Sequence, residues 1–325
     1  MSVYSDPKLN MIMRSGLLFT AIIAVSDAGH TQNGPPPASA DVLIVPPDRI
    51  IQGTINSQPV RYEFNGSLPS YFIIDPEVAT RLGLKAGFLP ALGRSYNTGK
   101  VSFGKSAKVD YTLGSKSGRG DVVWHKRSDS KNGDISLGLS SIQEPIVTFM
   151  LRPQQPSERL FMLPLRILNG EAPGTAVKDG KNEIFVIFDF RQEANVANAS
   201  MAVNLVAENG GAFVANEGRI MTTVTTERRA RMLELDRPLK VGPLQLSRID
   251  VLIDARGNAK PIPTGKIIPQ KAQEDEIVVT AHRKVKRGNE DAQFLSIGRD
   301  ALSACSSITF DRKLREIRMS CIPAG

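Results

Sequence analysis

At 325 residues the chain has room for two domains with full cores, since domains usually run to about 100–200 residues. Hydrophobic residues at 41% and charged residues at 23% exclude disorder throughout. The formal net charge of +8 raises nucleic acid or an anionic surface as a partner. The basic residues are dispersed, however, and none forms a helical stripe interleaved with aromatics, so no nucleic-acid partner is expected.

The first patterned segment is the apolar run Gly16 to Val25, preceded by Arg14 and followed by Ser26-Asp27-Ala28. That layout predicts a secretory signal over residues 1–28, with Met11 or Met13 as the more usual start. The run is shorter than the about 20 residues that span a bilayer, so no stable membrane insertion is expected after cleavage. An uncleaved anchor is the alternative. Residues 29–40 are polar and proline-rich and predict a disordered leader.

From Val42 onward, short apolar or alternating runs are cut by Gly, Pro and Asn, a pattern that predicts an all-β, mostly antiparallel architecture with a few short helices. One helix follows Asp75-Pro76, where Asp75 can cap free amides and Pro76 suits the first turn. A second is predicted over Ala199 to Glu208, introduced by Asn198 or Ser200 and closed by Gly210-Gly211. In the first half the order is Ile50–Ile55, a turn at Asn56-Ser57-Gln58, Pro59–Phe64, an irregular turn, Tyr71–Ile74, then the helix. In the second half Glu183–Phe188 leads through an irregular turn to the second helix. Later each half carries a similar cluster, Ile135-Ser136-Leu137-Gly138-Leu139 and Phe294-Leu295-Ser296-Ile297-Gly298. This parallel predicts two related lobes, 41–155 and 183–325, joined by a linker at 156–182.

The two cysteines, Cys305 and Cys321, would be free to pair in an oxidising compartment. Matching the apolar faces of the last hairpin pairs Phe310 with Ile317 and Ile308 with Met319. Cys321 then falls opposite Ser306, so a bridge to Cys305 needs a bulge or an early strand start. His30, His125 and His282 stand in separate segments without metal-ligand spacing, so no metal is expected. No cofactor is expected either, because neither a phosphate-cradling nor a dinucleotide glycine pattern occurs. Gly138-Leu-Ser-Ser is not the nucleophile elbow of a serine hydrolase.

The stretches Thr54–Phe64 and Tyr71–Leu84, the two clusters ending in Gly138 and Gly298, and the closing Gly298–Leu302 and Ser307–Arg315 together resemble the pepsin-like and retropepsin-like aspartic peptidases in their bacterial two-lobed form. The resemblance spans about residues 45–322 and implies a two-lobed pepsin-like acid-protease fold. That family's chemistry uses two Asp-Thr/Ser-Gly turns whose carboxylates share one proton and activate a water. Here Asn65, followed by Gly66 and Ser67, stands where the first aspartate belongs. In the second half Asp189 is kept, but Phe190 and Arg191 replace the bracing hydroxyl and the glycine. The resemblance therefore implies degenerate catalytic positions at Asn65 and Asp189, flanked by Gly66, Ser67, Phe190 and Arg191 as binding residues. An amide does not titrate near working pH and cannot share the proton. Asp189 with an unconventional partner, in an active aspartic endopeptidase, is the alternative.

The hairpin Tyr111–Trp124, with Gly114–Gly120 at its tip, is the flap candidate, which makes Tyr111 and Trp124 candidate binding residues for an extended peptide or protein segment. Residues 266–291 form an insertion that includes the basic cluster Arg283–Arg287. Its Asp275-Glu-Ile-Val-Val-Thr-Ala stretch is similar to the periplasmic N-terminal segment of TonB-dependent receptors. It is expected to be a mobile charged loop or, alternatively, a strand that adds to a periplasmic or envelope partner. Together these readings point to a periplasmic or secreted peptide-binding protein.

Overall fold

The computed structural model describes residues 41–65, 72–87, 91–94, 101–125, 130–168, 172–222, 227–253, 257–265 and 294–323. The expected signal and leader, Gly66, Ser67 and the 266–291 insertion lie outside the described residues. Twenty strands and three short α-helices make the described chain all-β with few helices.

A first strand, β1 (Val42–Val45), precedes the hairpin β2 (Ile50–Ile55) and β3 (Gln58–Phe64). Its two-residue turn places Asn56 and Ser57 at φ 48° and 65°, both left-handed as the strand twist requires. There follow β4 (Phe72–Ile74), the helix α1 (Pro76–Arg81), β5 (Ala91–Arg94), β6 (Val101–Leu113), β7 (Lys116–Trp124) and β8 (Ile135–Leu137). The Asp75 side chain caps α1 by accepting the Glu77 N–H at 2.7 Å. Pairing runs β2-β3-β8-β4-β7-β6, and β2 also pairs with β6, so six strands close into a barrel, with β5 added outside. Closure needs a glycine at position 53, because a Cβ there would meet Thr112 O at 2.2 Å. Tyr62, Phe64, Tyr111, Val122 and Leu137 fill the interior.

The chain then crosses through β9 (Ile146–Met150) and β10 (Arg159–Pro164) into β11 (Arg166–Leu168), β12 (Ala172–Asp179), β13 (Asn182–Phe188) and β14 (Val196–Asn198). The helix α2 (Ala199–Asn209) is capped by Asn198, whose side chain accepts the Met201 N–H at 2.8 Å, and ends at Gly210. Next come β15 (Ala212–Thr222), β16 (Glu227–Val241), β17 (Leu244–Leu252) and β18 (Phe294–Ile297). These strands pair in the order β12-β13-β18-β14-β17-β16-β15. Position for position this matches β2-β3-β8-β4-β7-β6-β5, down to the parallel pairs β3/β8 and β13/β18 and the parallel pairs β4/β7 and β14/β17. The second sheet differs in staying open, since no β12–β16 pairing occurs among the described residues.

After the helix α3 (Arg299–Leu302), β19 (Cys305–Asp311) and β20 (Glu316–Cys321) close the chain. They belong to a third sheet, ordered β1-β9-β19-β20-β10, which gathers strands from the start, middle and end of the sequence. Phe149 of β9 and Phe310 of β19 project from it into the rings of Phe64, Phe188 and Phe190.

One expectation is corrected. Residues 156–182, read from sequence as a linker, carry β10, β11 and β12, so the strand matching β2 starts at Ala172, before residue 183 where the second lobe was expected to begin. Ala172, Pro173, Gly174 and Thr175 are all buried, but such small residues show no strong alternation. The last hairpin pairs Phe310 with Ile317 and Ile308 with Met319. A register shift between Cys305 and Ser307 brings Cys305 opposite Cys321, and the two are joined in a buried disulfide.

The bridge spans a sequence separation of 16, for which loop-closure entropy gives about 3 kcal/mol. Cys305→Ala/Cys321→Ala is expected to lower the unfolding free energy by about 3 kcal/mol, read as a lower guanidinium midpoint. A midpoint equal to that of the parent would show that the bridge carries no stability.

Candidate functional site

Two strand ends define the site. β3 and β13 each run parallel to a short partner, with Phe64 beside Leu137 and Phe188 beside Ile297. The next residue in each case is Asn65 or Asp189. The Asn65 N–H donates to Leu137 O at 2.9 Å, and the Asp189 N–H donates to Ile297 O at 2.9 Å. Both residues are buried, 2% and 3% exposed. The two positions are therefore topologically equivalent.

Beyond Asp189 the chain folds back under its own carboxylate. Oδ1 accepts the Arg191 N–H at 2.9 Å and the Gln192 N–H at 3.2 Å. The carbonyls of Gln192 and Glu193 then accept the N–H groups of Arg299 and Asp300, so the turn also satisfies the first amides of α3. Buried Asn195 ties the same region together, accepting the Gly298 N–H at 3.1 Å and donating to Arg248 O at 3.0 Å. A Cβ at position 298 would sit 2.3 Å from the Glu193 and Ala194 oxygens. Glycine there is demanded by the close approach of α3 to the Asp189 turn.

Arg49, just before β2, joins the two halves. It is 9% exposed and takes φ 63°, a conformation that costs a non-glycine residue some strain. Its backbone oxygen accepts the Phe64 N–H at 3.0 Å, and its Nη1 donates to Phe190 O at 2.9 Å. Its Nη2 lies 3.4 Å from Glu63 Oε1. Burial lowers the Arg49 pKa, and the charges of Glu63 and Asp189 offset part of that effect. Burial on its own would raise the Glu63 carboxyl. The Asn132 N–H, the Ser130 hydroxyl, the Lys131 N–H and the Arg49 charge outweigh it and hold the group below its ordinary value. The contacts are short, with Oε2 accepting Ser130 Oγ at 2.6 Å, Lys131 N at 2.8 Å and Asn132 N at 2.9 Å.

Of the residues singled out in the sequence, Asp189, Phe190 and Arg191 share one turn, and Asn65 holds the matching position. Gly66 and Ser67 lie outside the described residues. The expectation for Phe190 is corrected in part: its ring is 1% exposed and stacks on Phe149 with centroids 4.1 Å apart, so it packs in the core, and the residue also lines a cavity with Arg49 and Arg299.

Tyr111 and Trp124 are likewise corrected. Their hairpin is a wall of the closed barrel, and both side chains are buried in its core. Tyr111 packs edge-on against Phe72 at 4.8 Å and accepts a hydrogen bond from Gln143 Nε2 at 2.7 Å. The hairpin tip cannot act as a free flap either, because Gly114 is packed against Leu43 and Glu144.

Sequence reading missed Arg49 and Glu63. Alternation along Pro59–Phe64 sends Glu63 to the face opposite Tyr62, which suggests exposure. It is buried instead by the 130–133 turn, whose local sequence gives no sign of that contact. Among the described residues no group of three or more His, Cys, Asp or Glu side chains is placed to hold a metal ion. Comparison of the chain with protein-family models and with curated proteins found no match.

Chemically, the two equivalent positions carry one amide and one carboxylate, and an amide has no proton to share near working pH. The Glu63–Arg49 pair sets a pH dependence. A carboxyl held below its ordinary value adds stability above the unfolded-state value, and that stability is lost as pH falls through the folded value. Glu63→Gln is expected to cost about 3 kcal/mol at pH 7, because it leaves Arg49 buried without its counter-charge. The difference from the parent should shrink below about pH 4, near the ordinary carboxylate range. Urea unfolding at pH 7 and pH 3 checks both, and a cost independent of pH would refute the electrostatic assignment.

Proposed function

We propose that the chain is an exported, two-lobed relative of the aspartic peptidases whose catalytic pair has lost one carboxylate, and that it binds an extended peptide or protein segment without cutting it. The observation that carries this reading is the equivalence of Asn65 and Asp189 at the ends of twin parallel-paired strands. A shared two-carboxylate site requires one strand order repeated in each half; the order is repeated here, and an amide stands at one of the two equivalent positions.

Two further features support it. The Asp189 Oδ1 is committed to backbone N–H groups of its own turn, a bracing role that in an Asp-Thr/Ser-Gly turn would fall partly to a hydroxyl. The Cys305–Cys321 bridge suits an oxidising compartment such as the periplasm, in keeping with the signal-like run at Gly16–Val25. Loss of one general acid–base group costs about 10²–10⁴ in rate, enough to leave a binding protein.

The test is incubation of the purified chain with a mixed peptide library from pH 3 to 7, with Asp189→Ala as control. No cleavage by either form, together with retention of a subset of uncut peptides on the immobilised chain, is the expected result. Cleavage that disappears in Asp189→Ala would overturn the proposal and make Asp189 catalytic in an active endopeptidase.

A further inference from the structure

Behind the Asp189 turn lies a cavity of about 230 Å³ that no sequence motif announced. Three arginines line it, Arg49, Arg152 and Arg299, against an apolar wall that includes Pro47, Leu151 and Leu302. The three cations are not equivalent. Arg152 is committed to the protein through four hydrogen bonds, donating to the carbonyls of Ser303, Ala304 and Pro153 and pairing with buried Glu158 at 2.5 Å. It is a fixed, internally neutralised part of the wall.

Arg49 and Arg299 differ from it. Arg49 makes one hydrogen bond, to Phe190 O, and one ion pair at 3.4 Å, to Glu63. A guanidinium carries five N–H donors, so a buried cation here has donors left over. Among the described residues the Arg299 side chain pairs with Glu193 at 3.0 Å, and both side chains of that pair are well exposed. Such a pair is held weakly and is easily exchanged. The positive charge of Arg299 also opposes that of Arg49, and a negative group placed between them would relieve that repulsion.

We propose that this cavity is a binding site for a small organic monocarboxylate, with the carboxylate held between Arg49 and Arg299 and a compact apolar group against Pro47, Leu151 and Leu302. A guanidinium fork matches a planar carboxylate in two-point geometry. Glu63 and Asp189 stand near enough to act on Arg49, so the local positive charge is partly cancelled and one negative charge suits the site better than two. The volume exceeds the about 150 Å³ cavity that accepts benzene and falls below the about 300 Å³ at which drug-sized pockets begin. A single ring or branched chain with its carboxylate fills it. Two sources present this chemistry, a free organic acid and the C-terminal residue of a peptide.

The site does not depend on whether the Asn65–Asp189 region binds peptide, and its test avoids both of those residues. The full chain is titrated at low ionic strength with phenylacetate, with N-acetyl-Leu-Leu as the free acid, with phenylacetamide and with inorganic phosphate, and heat or ligand NMR is read. Saturable binding of phenylacetate, weakened at least tenfold in Arg299→Gln and absent for phenylacetamide, is expected. Arg299 is half exposed, so this variant should fold, which its unfolding midpoint verifies. Arg299→Lys, keeping the charge and losing the fork, should fall between the two. Binding of N-acetyl-Leu-Leu as well points to peptide C-termini, and binding of phenylacetate alone points to a free acid. Failure of both acids to bind, equal binding by Arg299→Gln, equal binding of the amide, or tighter binding of phosphate would each overturn the proposal.

Discussion

The arrangement depends on one packing constraint, the cluster of phenylalanine rings where the three sheets meet. Phe149 stacks on Phe190 at 4.1 Å and meets Phe64 and Phe310 edge-on at 5.5 and 5.8 Å. Phe310 in turn meets Phe188 at 5.8 Å. Phe64 immediately precedes Asn65, while Phe188 and Phe190 flank Asp189. Both strand ends are therefore seated on the same sheet by rings that interlock in preferred geometries. Removal of a ring from such a core leaves a cavity that its neighbours cannot fill. The residue after Asp189 is the buried Phe190, so ring packing acts beside the two hydrogen bonds to Asp189 Oδ1 in holding that turn.

Around this apolar centre, buried charges lock the elements that surround it. Arg49 is held from both halves at once, by Glu63 on β3 and by the Phe190 carbonyl. Glu158 does the same for the third sheet. Burial would raise its carboxyl, but the Ser306 and Ser320 hydroxyls, the Gln155 N–H and Arg152 bring it to about 2. It thereby fastens β19 and β20 to the segment between β9 and β10. Each of these carboxylates would be costly to bury alone, and each is instead surrounded by donors. The charged groups thus specify which strands lie together, while the aromatic rings supply the apolar contact.

Much of the fold was legible in the sequence because its signals are local. The Asn56-Ser57 hairpin, the Asp75 and Asn198 caps, the Gly210 stop and the apolar register of the last hairpin all depend on residues within a few positions of one another. The repeated strand order left a local trace for the same reason, since Ser136-Leu137-Gly138 and Ser296-Ile297-Gly298 repeat a short pattern at matching strand ends. What stayed hidden depends on contacts between distant residues. β12 buries small residues that show no alternation, and Arg49 meets Phe190 across a separation of 141 residues. Tyr111 and Trp124 looked available because a hairpin reads the same whether it is free or built into a barrel wall. Only the β2–β6 pairing tells the two apart.

The central claim of the proposed function is that the strand ends carrying Asn65 and Asp189 meet at one site. It is tested most directly by following the Asp189 carboxyl carbon by NMR from pH 2 to 8 in the parent chain and in Asn65→Asp. Two carboxylates brought together cannot both ionise freely. The account predicts that in the variant the pair titrates in two coupled steps, with the upper step well above the ordinary carboxylate range. An Asp189 titration curve unmoved by the new carboxylate would contradict it.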